Sequence, residues 1–279
     1  MSQSEPASTA MVDIDWAGCT VRIEHQWLNA HWRDAPLMVF LHEGLGSVAM
    51  WRDYPQQLCN ALGMRGLVYS RPGYGQSTPR AADEHWAPNF MHRQAHEVLP
   101  ALLKALAVHE APWLFGHSDG GSIALLYATR HTTAGVMVLA PHIMVEDMSV
   151  NSIAVAKEAY ENTALRERLA RYHNDVDSAF WGWNRIWLAP EFRSWSIKEE
   201  LATISCPVLA VQGLNDEYGT LAQIRQIQHH VPHTQLLEIE HCGHSPHRDQ
   251  TQVLTRACLD FFNAQSKAQS FSPRNSQDN

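Results

Sequence analysis

Six short, continuous apolar runs punctuate the chain: PLMVFLH (36–42), RGLVYS (65–70), PWLFGH (112–117), GVMVLAP (135–141), PVLAVQG (207–213) and QLLEIE (235–240). None alternates strictly with polar residues, the pattern of a parallel strand covered on both faces. Between them, apolar residues recur at helical spacing in HRQAHEVLPALLKALAV (92–108), SIALLYATRH (122–131) and LAQIRQIQHHV (221–231), with Pro100 a kink point in the first. Strands alternating with helices predict the α/β class, a mostly parallel central sheet flanked by helices. The earlier stretch CTVRIEHQWLN (19–29) partly alternates and predicts an antiparallel leading hairpin.

The alternation fails from 142 to 205, where no strand pattern occurs. VNSIAVAKEAYENTALRERLARYH and DVDSAFWGWNRIWL predict helices, and Ser196 with Glu199 has the spacing of a capping box opening a further one. Four of the ten tryptophans lie here: Trp181, Trp183, Trp187 and Trp195. This segment reads as an inserted helical cap, and long insertions on α/β sheets often carry function. The expected organisation is a core over 16–141 and 206–263, the cap over 142–205, and mobile polar ends at 1–15 and 264–279.

Composition narrows the class. Of 279 residues, 45% are hydrophobic and 18% charged, so a sizeable core can be buried. The net charge of -8, without a Lys/Arg-rich run, argues against nucleic acid or an anionic membrane as partner. The five cysteines are scattered with no C-x-x-C pair, which argues against a disulfide framework. No segment approaches the roughly 18 apolar residues of a membrane span, and no basic leader precedes an apolar one. A cytoplasmic protein acting on a small-molecule substrate is expected, with no cofactor and no metal; a homodimer stays open.

The candidate chemistry sits at strand ends. LFGHSDGGSIALLYA (114–128) puts G-H-S-D-G between a strand and a helix, the context of a nucleophile elbow with Ser118 at its apex. Gly116 and Gly120 flank the apex where strand and helix crowd, and the Asp119 amide is one candidate oxyanion donor. A serine needs a base, and the base an orienting acid. Asp216 follows the run 207–213, with Glu217 and Asp119 as rival acids and Asp249 a remoter one; His244 follows the run 235–240, flanked by His241 and His247. The spacing of these histidines and Cys242 matches no zinc pattern. The loop His42-Glu43-Gly44-Leu45-Gly46 offers the second amide, Gly44 or, alternatively, Glu43. His42 reads as a loop-holding residue.

FLHEGLGS, SRPGYGQSTP, LFGHSDGGSIALLYA, VQGLNDEY and HCGHSPH occur in the order found in the α/β-hydrolase superfamily, which the chain resembles over roughly residues 20–263. The resemblance is to its capped small-molecule hydrolases, among them esterases, prolyl iminopeptidases and carbon–carbon bond hydrolases. It implies a Ser118–Asp216–His244 triad beneath the cap, and hydrolysis of a small carboxylic ester, thioester or lactone through an acyl-enzyme. Carbon–carbon hydrolysis of a vinylogous diketone is the alternative; a ligand receptor without turnover and a cofactor-free oxygenase are remoter ones. Glu43 departs from the pattern, which has Gly after the oxyanion-loop histidine. Its carboxylate either pairs with nearby backbone or an arginine, or selects a cationic or hydroxyl-bearing substrate, or positions water. In the cap, Trp181, Trp183, Trp187 and Arg185 are the candidate substrate contacts.

Overall fold

A computed structural model describes residues 9–81 and 83–270. Its strands are β1 (Ala10–Trp16), β2 (Cys19–Leu28), β3 (Leu37–Leu41), β4 (Arg65–Tyr69), β5 (Trp113–His117), β6 (Gly135–Leu139), β7 (Val208–Gly213) and β8 (Gln235–Ile239). They form one sheet in the order β1-β2-β4-β3-β5-β6-β7-β8. The six apolar runs supply β3 to β8, all parallel, while β2 pairs antiparallel with both β1 and β4.

The runs are continuous because both sheet faces are covered. Val39, Leu41, Leu114, Val136 and Val138 face one apolar cluster; their strand neighbours Met38, Phe40, Phe115, Met137 and Leu139 face the other. The helix Asp119–Arg130 packs in the first cluster, the helix Tyr54–Leu62 in the second. Parallel direction brings the carboxyl ends of β3, β5, β6, β7 and β8 to one edge, where α/β proteins collect functional loops.

The expected kink before Pro100 is a widened turn. Helix Phe90–Arg93 passes into a π-helical segment, Gln94–Val98, before Leu99–Ala105. Proline has no N–H for the α-helical ladder, and such bulges accommodate the break.

Three expectations are corrected. Ala10 to Asp15 are not a mobile end: Val12, Ile14 and Trp16 alternate with Asp13 and Asp15, and Ile14 is buried against the core. A two-residue turn at Ala17 and Gly18, φ 53° and 78°, returns the chain into β2. At the other end, 264–270 continue the helix Thr251–Ser270; the remainder of both predicted mobile ends, 1–8 and 271–279, lies outside the described residues. The short helix Lys198–Leu201 forms, but its cap residue is Ile197 and Ser196 Oγ accepts from Lys198 N at 3.4 Å, so no capping box forms.

Between β6 and β7 the chain builds helices Asp147–Asn162, Leu165–Leu169 and Val176–Leu188. The last starts on Asp175, whose side chain accepts from Ser178 N at 2.8 Å. The insertion carries four of the chain's tryptophans, three on the last of these helices and Trp195 beyond it.

The sheet edge tests its own packing. A Cβ on Gly120 would lie 2.1 Å from the Leu41 carbonyl oxygen, a backbone atom of β3 that cannot rotate away. Gly120→Ala is expected to cost more than about 3 kcal/mol in urea denaturation. Gly63→Ala, at φ +66° with open space around its Cβ, is expected to cost only about 1–2 kcal/mol. Equal losses contradict this packing.

Candidate active site

β5 ends at His117 and the next helix begins at Asp119, so Ser118 alone makes the turn, at φ 53° and ψ −121°. A non-glycine residue holds such a conformation only when its surroundings impose it. Here backbone crowding does so: a Cβ on Gly116 would sit 2.3 Å from the Gly120 carbonyl oxygen. Ser118 N donates to Leu139 O at 2.9 Å, fixing the apex to β6.

Asp216 and His244 come from the loops after β7 and β8, tied together by Asn215 N donating to Cys242 O at 2.9 Å. His244 Nδ1 lies 2.8 Å from Asp216 Oδ1 and 3.0 Å from Oδ2. A carboxylate only accepts, so Nδ1 carries the proton and Nε2 is left as the basic nitrogen. Gln212 Nε2 and Tyr218 N each donate to the same carboxylate at 2.8 Å. Burial opposes its charge, but the His244 bond and charge and the Tyr218 amide outweigh it, and the Asp216 carboxyl lies below its usual range. Of the rivals, Asp249 instead accepts from Gly243 N at 2.9 Å and braces the His244 loop.

Ser118 and His244 line one cavity of about 120 Å³, together with Glu43, Gly44, Asp119 and His142. The amides of Gly44 and Asp119 have no acceptor among the described residues, and neither has that of Glu43. The loop carrying the first is held by His42: Arg71 N donates to its Nε2 at 3.0 Å, so Nδ1 donates to Glu43 O at 2.7 Å. Buried Arg71 also donates to Glu43 O at 2.8 Å and lies 3.8 Å from Asp119 Oδ2. Burial pushes the Asp119 carboxyl up to about 6, against the pull of Arg71 and of Trp187, whose Nε1 donates to Oδ1 at 3.2 Å.

Glu43 is engaged rather than free. Its carboxylate lies 3.5 Å from His117 Nδ1 and 3.6 Å from Arg248 Nη2. Burial alone would raise its pKa; the contact with His117, with Arg248 and His247, holds it well below the usual carboxylate range. His117 Nε2 donates to the His244 carbonyl oxygen at 2.7 Å, so this residue bridges the elbow strand and the His244 loop.

The insertion helix splits the cap candidates. Trp183 and Trp187, one turn apart, line the cavity. Trp181 and Arg185 do not: they lie on another face of the helix, pair by a cation–π contact of 5.4 Å, and line a separate depression with Arg80 and Trp86. His142 and Tyr218 were not singled out from sequence as contacts; both line the cavity. The signal for His142 was its position just past β6, at the edge that also carries Ser118. Among the described residues, no three His, Cys, Asp or Glu side chains converge as a metal site requires, and no helix is long and apolar enough to cross a membrane.

The order of strands, the strained serine turn and the insertion after β6 define an α/β-hydrolase architecture. The chain belongs to the alpha/beta hydrolase family, whose model matches residues 38–257. Among solved structures it is similar to the enol-lactonase from Burkholderia xenovorans LB400, with 18% identity and a TM-score of 0.70 over 92% of this chain and 100% of that one. A structure described under carboxylesterases of Nitrososphaera gargenis matches at 16% identity and a TM-score of 0.72, covering 92% and 99%. Proline iminopeptidase of Mycobacterium smegmatis matches at 15% and 0.69, covering 93% and 99%. At these identities the likeness is one of fold. No curated protein sequence matches the chain.

His247 gives the site region a pH signature. It is buried, with rings 5.1 Å from Trp51 and 4.9 Å from His117, and neither ring nitrogen has a partner. Burial, then His117, lowers its pKa to about 2. The unfolded chain, with a histidine near 6.5, therefore binds the extra proton between these values, and stability is full above about pH 6.5 and falls as pH drops. His247→Phe is expected to make the loss of stability between about pH 7 and 4 shallower, by about 3 kcal/mol at most. Urea denaturation at both pH values checks this; an unchanged slope contradicts it.

Proposed function

We propose that the protein is a serine hydrolase that cleaves a small carboxylic ester through an acyl-enzyme. The observation that carries this reading is the His244–Asp216 hydrogen bond, with His244 and Ser118 lining the same cavity. Ser118 Oγ attacks the ester carbonyl while His244 Nε2 takes its proton. Asp216 keeps the imidazole in the needed tautomer and stabilises the imidazolium. The unpaired amides of Gly44 and Asp119 receive the oxyanion, each worth about 3–4 kcal/mol in the transition state. His244 returns the proton to the leaving alkoxide. Water, activated by the same imidazole, then releases the acid and regenerates Ser118.

The helical insertion serves as the cap over this cavity. A volume of about 120 Å³ lies well below the roughly 300–1,000 Å³ of drug-sized sites, which favours a small ester over the bulky dienoate of a carbon–carbon hydrolase. Small esters and lactones demand the same machinery.

With p-nitrophenyl acetate, Ser118→Ala is expected to lower kcat/KM at least about 10³-fold, and Asp216→Asn about 10²–10⁴-fold, mainly in kcat. A ring-cleavage dienoate is expected to remain unconsumed under the same conditions. Retention of ester hydrolysis within tenfold by Ser118→Ala overturns the assignment, and preferential turnover of the dienoate overturns the ester reading.

A further inference from the structure

The polar atoms around the cavity can be accounted for one by one. Ser118 and His244 are used by the reaction proposed above. Glu43 is spent on His117 and Arg248. The indole N–H of Trp187 is spent on Asp119. Tyr218 and Ser245 also line the cavity and are only half-buried; beyond these and His117, which faces Glu43, two buried side chains are left over.

One is His142, 3% exposed and fixed by its backbone, whose N–H donates to Ser122 Oγ at 3.1 Å. Its ring is wedged between Trp187 and His244, with centroids 4.9 and 5.8 Å away. Nδ1 is sealed from solvent without a partner, and no hydrogen bond to Nε2 exists among the described residues. Burial, then the neighbouring His244, lowers its pKa to about 3, so at neutral pH the ring is uncharged and offers one donor and one acceptor.

The other is Trp183, 6% exposed. The edge of its indole that carries Nε1 lies against Gly44: a Cβ there would be 2.2 Å from Nε1 and 2.5 Å from Cδ1. Its N–H has no acceptor among the described residues, yet unlike the Trp195 N–H it is not sealed away. The absence of a side chain on Gly44 is what lets this donor reach the loop that offers the proposed oxyanion amide.

A donor and a donor–acceptor, both buried, both unpartnered and both on the wall of one small cavity, are costly beside a purely aliphatic substrate. Resting on the ester-hydrolase reading, we propose that Trp183 and His142 form a polar subsite for a hydroxyl or keto oxygen carried by the substrate close to its scissile carbonyl. The substrate class is then a small hydroxy- or keto-substituted ester. A hydroxyl accepts from the indole N–H and donates to the unprotonated nitrogen of His142; a keto oxygen accepts from both rings. Hydrolysis breaks the acyl C–O bond, adds the hydroxide part of water to the acyl carbon and a proton to the leaving oxygen, and leaves the recognised oxygen unchanged.

The same accounting rejects Glu43 as the recognition group. Its carboxylate already faces two basic side chains, so a cationic substrate would have to displace them.

The test compares matched esters with the full chain in a pH-stat: ethyl lactate against ethyl propionate, ethyl 3-hydroxybutyrate against ethyl butyrate, and 2-hydroxyethyl acetate against propyl acetate. In at least one pair the hydroxylated ester is expected to show kcat/KM at least about tenfold higher, since sites built to bond a hydroxyl discriminate strongly against analogues lacking it. Trp183→Phe keeps an aromatic ring and removes the donor; His142→Phe keeps a planar ring and removes both nitrogens. Each is expected to bring that ratio to within about threefold of unity, chiefly by raising KM for the hydroxylated ester. Labelling of Ser118 by a fluorophosphonate, followed by mass spectrometry, reports whether each variant is folded with a reactive serine. Equal turnover within every pair by the wild type, or a ratio unchanged in both labelled variants, overturns the subsite. Should a variant fail to label, the wild-type ratios decide alone. No turnover of any ester, with Ser118 unlabelled in the wild type, overturns the ester reading and the subsite with it.

Discussion

The close passage of backbone over backbone at the end of β5 constrains everything else in this molecule. Gly116, Gly120 and the Leu41 carbonyl meet without side chains between them, so the helix after Ser118 starts directly over the central strands. That contact leaves one residue to make the turn, and the residue is a serine held at φ 53°. The strain is supported by the sheet: Ser118 is hydrogen-bonded to β6, and all five residues of β5 are buried. The same edge receives Asp216 and His244 because β7 and β8 run parallel to β5, and the two loops are pinned to each other before their side chains meet.

Around this frame the charges are compartmented. Asp216 accepts from His244, Gln212 and Tyr218, so its charge is spent on orienting one imidazole. Asp119 is offset by Arg71 and Trp187, and Glu43 by His117 and Arg248. Two carboxylates beside a developing oxyanion would oppose it if unpaired. Pairing turns them into supports for the loops that carry the proposed oxyanion amides. What lines the cavity besides them is mainly aromatic: two indoles, three imidazoles and a tyrosine.

Much of this was legible in the sequence because local signals carried it. Continuous apolar runs marked β3 to β8, and glycines at fixed offsets around Ser118 marked the turn. Asp216 and His244 stand out because each follows a strand in a loop. The misses share a different cause, since they depend on what packs against an element. The first residues are polar and small and read as a mobile end; only pairing with β2 makes β1 a strand. Trp181 and Arg185 were grouped with Trp183 and Trp187 because composition does not say which helix face meets the cavity. His142 carries no motif at all, and its role appears only when unpartnered atoms are counted in space. Glu43 by sequence alone admits pairing, substrate selection or water positioning, and in the structure it faces His117 and Arg248.

The central claim is that Ser118, set on a strained turn, is the atom that attacks, with two backbone amides waiting for the oxygen it generates. A crystal structure of the protein after reaction with a small fluorophosphonate tests this most directly. The account predicts phosphorus bonded to Ser118 Oγ, and the phosphonyl oxygen about 2.7–3.1 Å from the amide nitrogens of Gly44 and Asp119. An adduct on another residue, or a phosphonyl oxygen turned away from both amides, contradicts it.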